Sequence, residues 1–260
     1  MKQLSVVYAL CGVRAGEDTL GGTVRNFLRV GVRCEWLCSK EREIAAVLCE
    51  AIPISAGCEV IPSTYSKWQQ MILRGNDPYR GPSFSLGNRL RRALWNLVYL
   101  LLFRISPRPF HRWRVLLLRL FGGQLGRGCH IYPSVSVWAP WNIVMGNHVG
   151  VADGVTLYSM DQIRIGDYAV ISQGAHLCCG SHDYNSANFQ LLAKPIVIGK
   201  HAWVCAEAFI HPGAVVPDGA VVGARAVVTK SLLVPWAVYA GNPCRQVGSR
   251  KSEVSTRGDK

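Results

Sequence analysis

Residues 196–229 read IVIGKHAWVCAEAFIHPGAVVPDGAVVGARAVVT, and this stretch decides the fold. An aliphatic residue recurs in it at every sixth position, and a small residue often stands four places later. The recurring positions are Ile198, Val204, Ile210, Val216, Val222 and Val228. A period of six fits neither the 3.6-residue repeat of a helix nor the two-residue alternation of a strand.

The same repeat extends back to Leu125. The earlier positions are Leu125, Ile131, Val137, Ile143, Met145, Val151, Leu157, Ile163, Ile165, Ile171 and Leu177. The register slips by two residues between Ile143 and Met145, and again between Ile163 and Ile165. After Leu177 the repeat stops, and the polar segment 180–194 follows before the repeat resumes.

A repeat of this length is typical of a parallel β-helix, in which each hexad forms one flat face. Three hexads, about eighteen residues, close one triangular turn. The recurring aliphatic side chain points into the shaft and stacks on its counterpart in the next turn, so no turn buries its apolar face alone. The two-residue slips are interpreted as one extra corner pair per turn. We predict a mainly β fold with a β-helix over residues 125–247.

The net charge of +13 lies mainly before the repeats. Residues 81–130 contain nine arginines and no acidic residue, whereas residues 131–245 contain six basic and six acidic residues. A nucleic-acid-binding protein would combine its cations with groove-reading or base-stacking motifs, and none accompanies these arginines. We therefore predict no nucleic-acid partner.

The ten cysteines are scattered along the chain without paired CxxC spacing, which argues against a structural zinc site. No signal peptide is recognisable at the N-terminus. We expect free thiols and a cytoplasmic location.

Residues 77–124 are predicted to form a basic amphipathic helical segment. Its apolar run, LWNLVYLLLF at 94–103, has about half of the roughly 20 residues that a membrane-spanning helix needs. Two interpretations stay open. The helices pack on the side of the β-helix or on a neighbouring subunit, or they lie on an anionic membrane surface at the inner face of the membrane.

Residues 1–76 are predicted to be an N-terminal extension. They bear a faint similarity to the first βαβ unit of a sugar-nucleotide glycosyltransferase, but they lack GxGxxG. We interpret them as a poorly ordered segment, or as the product of a start assigned upstream of Met71. Residues 248–260 are polar and are predicted to be a disordered tail.

Several blocks of the chain resemble one family in the same order. They are IYPSVSVWAPWN (131–142), LYSMDQIRIGDYAVISQGA (157–175), GSHDYNS (180–186), KPIVIG (194–199) and AGNPCR (240–245). Together with residues 196–229 they resemble hexapeptide-repeat acyltransferases, and within these the colanic acid (exopolysaccharide) biosynthesis acetyltransferases. The resemblance implies a left-handed β-helix, acetyl-CoA as co-substrate, a sugar or lipid-linked oligosaccharide acceptor, and a homotrimer.

His182 is the candidate general base for acetyl transfer to a hydroxyl. It opens the polar interruption of the repeat, and functional groups concentrate on such loops. Imidazole has a suitable pKa for a base near neutral pH. The resemblance to galactoside and maltose acetyltransferases implies the same role, although their Gly-His-Pro is Gly-Ser-His-Asp here.

The resemblance also implies residues for the two ligands. The candidates for coenzyme A binding are Trp203, Ala206, Ala224, Thr229, Lys230 and Arg245. The candidates for acceptor binding are Asp153, Asp183 and Tyr184; at Asp153 the related enzymes have asparagine. Small residues admit the thin pantetheine arm, and lysine and arginine suit phosphate.

Two alternative functions remain. Some hexapeptide-repeat proteins are zinc carbonic anhydrases, but no histidine triad stands out here, and we expect no metal. The second alternative is a non-catalytic β-helix scaffold, which would not bind acetyl-CoA. An acyl-cysteine intermediate on Cys178 or Cys179 is a further option, set against the ordinary preference of tight corners for small residues.

Overall fold

A computed structural model describes residues 77–251 of the 260-residue chain. The predictions for residues 1–76 and for residues 252–260 lie outside the described residues and stay predictions. The predicted tail, 248–260, begins too early, because residues 248 and 249 end the strand Arg245–Ser249 and the N–H of Arg250 donates to the carbonyl of Trp236.

The described part begins with two helices. Helix α1 (Leu86–Val98) is capped at its N-terminus by Ser85, whose hydroxyl accepts a hydrogen bond from the backbone N–H of Asn88. It continues as a π-helical turn over Tyr99–Phe103. Helix α2 (His111–Leu120) follows the proline-containing link.

The strands that follow form the three faces of a parallel β-helix. Face 1 consists of β1 (Gln124–Leu125), β4 (Ile143–Met145), β7 (Ile163–Ile165), β12 (Ile196–Ile198) and β15 (Val215–Val216). Face 2 consists of β2 (His130–Ile131), β5 (Gly150–Val151), β8 (Val170–Ile171), β13 (Trp203–Val204), β16 (Val221–Val222), β18 (Ala237–Ala240) and the antiparallel β19 (Arg245–Ser249). Face 3 consists of β3 (Ser136–Val137), β6 (Thr156–Tyr158), β9 (His176–Cys178), β14 (Phe209–Ile210) and β17 (Val227–Val228).

The six-residue repeat is the inner lining of this shaft, as predicted. Every recurring aliphatic residue from Leu125 to Val228 is buried. The alanines four places later are buried as well, and they are Ala202, Ala208, Ala214, Ala220 and Ala226. The stacking places one aliphatic side chain above another in successive turns, for example Ile171 against Val204 on face 2. The mainly β, parallel β-helical fold is therefore confirmed.

The two-residue slips have a different structural basis from the extra corner pair that we expected. They lie in the three-residue strands of face 1, where both ends of the strand point inward. Ile143 and Met145 are buried in β4, and Ile163 and Ile165 are buried in β7. The extra residues therefore lengthen face 1.

The helical segment packs against the open end of the β-helix. Strands β1 and β2 are the end strands of their sheets, so their outer carbonyls lack a strand partner. Arg119 donates to the carbonyl of Leu125 at 2.7 Å, and Arg114 donates to the carbonyl of Ile131 at 2.6 Å. Arg114 is fully buried, so its guanidinium is part of the core at this end.

Trp95 serves the third face in the same way. Its indole N–H donates to the carbonyl of Val137, on the end strand of face 3, at 2.7 Å. Each face thus has its first exposed carbonyl bonded by a side chain of the helical segment. The helices therefore pack on the β-helix at its end, and not along its side as predicted, because the end strands offer carbonyls that need hydrogen-bond donors.

Gly166 offers a test of how tightly successive turns are stacked. A Cβ at Gly166 would lie 2.6 Å from the backbone nitrogen of Lys200 in the next turn. We expect Gly166→Ala to lower the free energy of unfolding by about 1–3 kcal/mol, because the turns must move apart. Gly150→Ala is the control, since a Cβ there meets nothing within 4 Å. Urea denaturation of both variants measures the difference, and equal midpoints would contradict the close stacking.

Candidate active site

The polar interruption of the repeat is a hairpin that leaves the shaft between face 3 and face 1. Strands β10 (Gly180–His182) and β11 (Leu191–Ala193) pair antiparallel, with His182 opposite Leu191. Gly180 begins the hairpin, and a Cβ there would crowd the side chains of Met160 and Tyr158, so a residue without a side chain suits this position. The hairpin leaves the β-helix just after β9 on face 3.

The imidazole of His182 is exposed and oriented by one hydrogen bond. Its Nδ1 lies 2.6 Å from the carbonyl oxygen of Phe189 across the hairpin. Because a carbonyl oxygen only accepts hydrogen bonds, Nδ1 carries the proton in the neutral ring, and Nε2 has a free lone pair. This is the tautomer that a general base needs.

Asp183 and Tyr184 lie in the same hairpin but have different surroundings. The Asp183 carboxylate accepts a hydrogen bond from the backbone N–H of Asn185 at 3.0 Å, which closes a local turn. Tyr184 is 80% exposed, so its ring is free to meet a ligand. Neither residue orients His182, whose ring hydrogen bond is to the backbone carbonyl of Phe189. The sequence gives no sign of this contact, because every residue has the same carbonyl.

A second group of predicted residues lies along the corner between face 2 and face 3. Ala206 and Ala224 occupy this corner in successive turns, and the backbone N–H of Arg225 donates to the carbonyl of Ala206. Trp203 projects from face 2, and its indole N–H donates to the hydroxyl of Ser172 at 2.8 Å. Ser172 is a further residue that the sequence did not single out, since the contact spans a whole turn.

Asp153 lies at the same corner, nearer the helices. Its carboxylate accepts a hydrogen bond from Ser134 at 2.6 Å and forms an ion pair with Arg108 at 2.8 Å. The carboxylate is therefore held by two neighbours. The asparagine of the related enzymes is neutral and could not form this ion pair with Arg108. Its role in acceptor binding stays a prediction.

The remaining coenzyme A candidates divide between the two corners. Thr229 and Lys230 are exposed and follow β17, so they share the corner of the His182 hairpin. Arg245 begins β19 opposite Ala240, at the edge of face 2. Within one chain, the corner with His182 and the corner with Ala206 lie at opposite edges of face 3. The fold therefore does not bring all predicted site residues together.

Comparison with known proteins identifies the family. No model of a protein family matches the chain. WcaF of Escherichia coli (strain K12), named as a colanic acid biosynthesis acetyltransferase, is 43% identical over 167 residues, which are 64% of this chain and 91% of WcaF. The chain belongs to this family of hexapeptide-repeat acetyltransferases. The galactoside O-acetyltransferase of the same organism is 28% identical over 137 residues, covering 52% of this chain and 67% of that enzyme.

Solved structures agree on the fold. A galactoside acetyltransferase in complex with coenzyme A matches with a TM-score of 0.60 and 24% identity, over 65% of this chain and 86% of that one. The hexapeptide-repeat acetyltransferase VCA0836 of Vibrio cholerae, complexed with acetyl coenzyme A, matches with a TM-score of 0.61 and 23% identity, over 70% and 97%. The predicted fold class, a left-handed parallel β-helix, is confirmed.

The cysteines beside the hairpin of this acetyltransferase are poor nucleophiles. All five cysteines between residues 77 and 251 are free thiols. Burial raises the pKa of Cys178 and of Cys179, so both thiols stay protonated near neutral pH. Because the thiolate is the nucleophile, this arrangement argues against an acyl-cysteine intermediate.

The part of this acetyltransferase that the structure describes lacks two features, a cluster of metal ligands and a membrane-spanning helix. Between residues 77 and 251, no three His, Cys, Asp or Glu residues come together in a way that could hold a metal ion. In that same stretch of the chain, each helix is too short or too polar to cross a membrane.

Proposed function

We propose that this acetyltransferase moves an acetyl group from acetyl-CoA to a sugar hydroxyl during exopolysaccharide assembly, by direct transfer with His182 as general base. The observation that carries the proposal is the hydrogen bond between His182 Nδ1 and the carbonyl of Phe189, which leaves Nε2 free to accept a proton. The protein would act in the cytoplasm, where acetyl-CoA is made.

The proposed reaction uses one base and no covalent enzyme intermediate. The acceptor oxygen attacks the thioester carbonyl carbon while Nε2 of His182 takes the hydroxyl proton. The tetrahedral intermediate then collapses, the carbon–sulfur bond breaks, and the imidazolium returns the proton to the leaving thiolate of coenzyme A. The products are the acetyl ester and free coenzyme A, and the imidazole is neutral again.

The relatives support a sugar as the acceptor. WcaF is named for colanic acid biosynthesis, and the galactoside enzyme is named for O-acetylation of a sugar. In this chain, the exposed ring of Tyr184 beside His182 offers a surface for the apolar face of a sugar. Asp183, in the same hairpin, and Asp153 are proposed as polar contacts to the acceptor.

A homotrimer would complete the site. Trp203, Ala206, Ala224 and Arg245 lie at one edge of the shaft, and His182 lies at another. We propose that coenzyme A binds in the cleft between two shafts, so that one copy supplies the base and its neighbour supplies most of the donor site. Thr229 and Lys230, at the same corner as His182, would then line the cleft from the other side.

Calorimetric titration with acetyl-CoA, beside light scattering, tests the proposal. We expect one acetyl-CoA per chain, a mass of three chains, and unchanged binding by His182→Ala, because that variant removes the base and not the donor site. A folded protein that binds no acetyl-CoA would contradict the proposed activity. A monomer that binds acetyl-CoA normally would contradict only the cleft between copies.

A further inference from the structure

The apolar stripe of helix α1 faces away from the protein core, whereas an ordinary surface helix turns its apolar stripe toward the core. Four leucines of α1 and one of the π-helical turn that continues it follow one another at spacings of three and four, so they form a single stripe: Leu86, Leu90, Leu94, Leu97 and Leu101. All five are more than half exposed. A globular protein normally turns such a stripe toward its core. We call this stripe the leucine surface.

The opposite side of the helix is the side that contacts the β-helix. Its buried residues are Asn88 and Trp95, and Trp95 is bonded to the end strand of face 3. The leucine surface therefore points away from the shaft, beyond its open end. Further exposed apolar side chains occur nearby in the sequence, and they are Leu100, Leu102, Ile105, Phe110, Trp113, Leu116 and Leu120. Exposed apolar groups at this density mark an interaction surface.

Residues 81–124 contain eight arginines, of which Arg108 is paired with Asp153 and the other seven divide into two sets. Arg114 and Arg119 bond the end strands, while Arg91 and Arg92 lie over the rings of Trp141 and Trp138, at 4.1 and 4.0 Å. These four are occupied by the fold.

The other set is available to a partner. Arg89, Arg104 and Arg112 are exposed, and none of them pairs with a carboxylate among residues 77–251. Residues 81–130 contain no acidic side chain at all. The leucine surface is thus accompanied by uncompensated positive charge.

We propose that the leucine surface docks on an anionic lipid membrane, with its apolar side chains in the interface and these arginines near the lipid phosphates. An apolar helix face flanked by cations suits such an interface. A second copy is a poorer occupant, because two such surfaces would bring arginines together and residues 81–130 supply no acidic side chain to pair with them. The shaft would then stand on the membrane by its helical end. This inference goes beyond the proposed function and does not depend on it.

Flotation of the full chain with lipid vesicles tests the inference. The probes are vesicles of phosphatidylcholine alone and vesicles with equal amounts of phosphatidylcholine and phosphatidylglycerol. We expect the protein to float with the anionic vesicles and to bind them less as salt is raised. The variant Leu94→Gln/Leu97→Gln/Leu101→Gln should lose roughly tenfold or more of that binding. The variant Arg89→Gln/Arg112→Gln should lose a similar amount, since each cation near the surface contributes.

Matched variants separate docking from general surface effects. Leu233→Gln/Val247→Gln removes two exposed apolar side chains elsewhere, and Lys200→Gln/Lys251→Gln removes two charges elsewhere. Both should float like the wild type. The inference is overturned if the full chain does not float, if the leucine variant floats as well as the control, or if both vesicle types bind equally. Assembly beyond a trimer that disappears in the leucine variant would instead assign this surface to a second copy.

Discussion

His182→Ala is expected to lower the rate of acetyl transfer by roughly 10²–10⁴-fold, the usual contribution of a general base. The acceptor hydroxyl would keep its proton as it attacks the thioester, because Nε2 of His182 is the group we propose to remove it. Release of free thiol from acetyl-CoA, with a panel of methyl glycosides as acceptors, measures the rate. Binding of acetyl-CoA should stay unchanged.

His148→Asn is the matched control for this experiment. His148 is also a corner histidine, but it lies between face 1 and face 2 and stacks on Tyr168. Its φ of 54° favours asparagine over alanine as the replacement. We expect this variant to keep the wild-type rate. A His182→Ala enzyme as fast as the His148→Asn enzyme would remove His182 from the role of base.

Trp95→Ala is expected to lower the free energy of unfolding by about 3–5 kcal/mol. Trp95 is fully buried, contacts the rings of Phe103 and Phe121, and bonds the carbonyl of Val137. Its loss leaves a cavity between α1 and the shaft, and it leaves the end strand of face 3 without its partner. Urea denaturation followed by far-ultraviolet circular dichroism measures the change.

Leu94→Ala provides the comparison, because Leu94 is the neighbouring residue on the exposed side of α1. A substitution there should change stability by no more than about 0.5 kcal/mol. We also expect Trp95→Ala, and not Leu94→Ala, to aggregate at high concentration, since an open strand edge recruits other chains. Equal stability of the two variants would mean that α1 does not hold the end of the β-helix.

The six-residue repeat was enough to predict the β-helix and the residues that line it. Aliphatic residues that recur every six positions stack on one another when each hexad forms one face. The sequence therefore predicts that residues such as Ile171 and Val204 line the shaft, and they do. The position of the hairpin was also predictable, because a polar insertion cannot enter a packed shaft and must leave it. The positions of the two-residue slips in the repeat are visible in the sequence. Two extra residues can lengthen either a corner or a strand, and only the structure shows that they lengthen the strand at Ile143 and Met145.

The helical segment was less predictable because it forms contacts without a period. Arg114 belongs to the segment that is predicted as a basic amphipathic helix, and nothing in the sequence marks its side chain as the one that is buried against Ile131. The partner of such an arginine is a backbone carbonyl, which every residue possesses, so no residue type signals the contact. The same reason hid the bond between Trp95 and Val137.

In the candidate site, some features follow from the sequence and others only from the tertiary structure. The sequence by itself determined the family and the β-helix, because both depend on residue types at fixed spacing. It made His182 the candidate base through its place in the polar interruption of the repeat, and that role stays a prediction. The tertiary structure alone decided which nitrogen of His182 is free, through the carbonyl of Phe189, and that the predicted site residues occupy two corners of one shaft. The first depends on a backbone carbonyl, and the second depends on how each triangular turn closes. Neither is encoded by the type of any one residue.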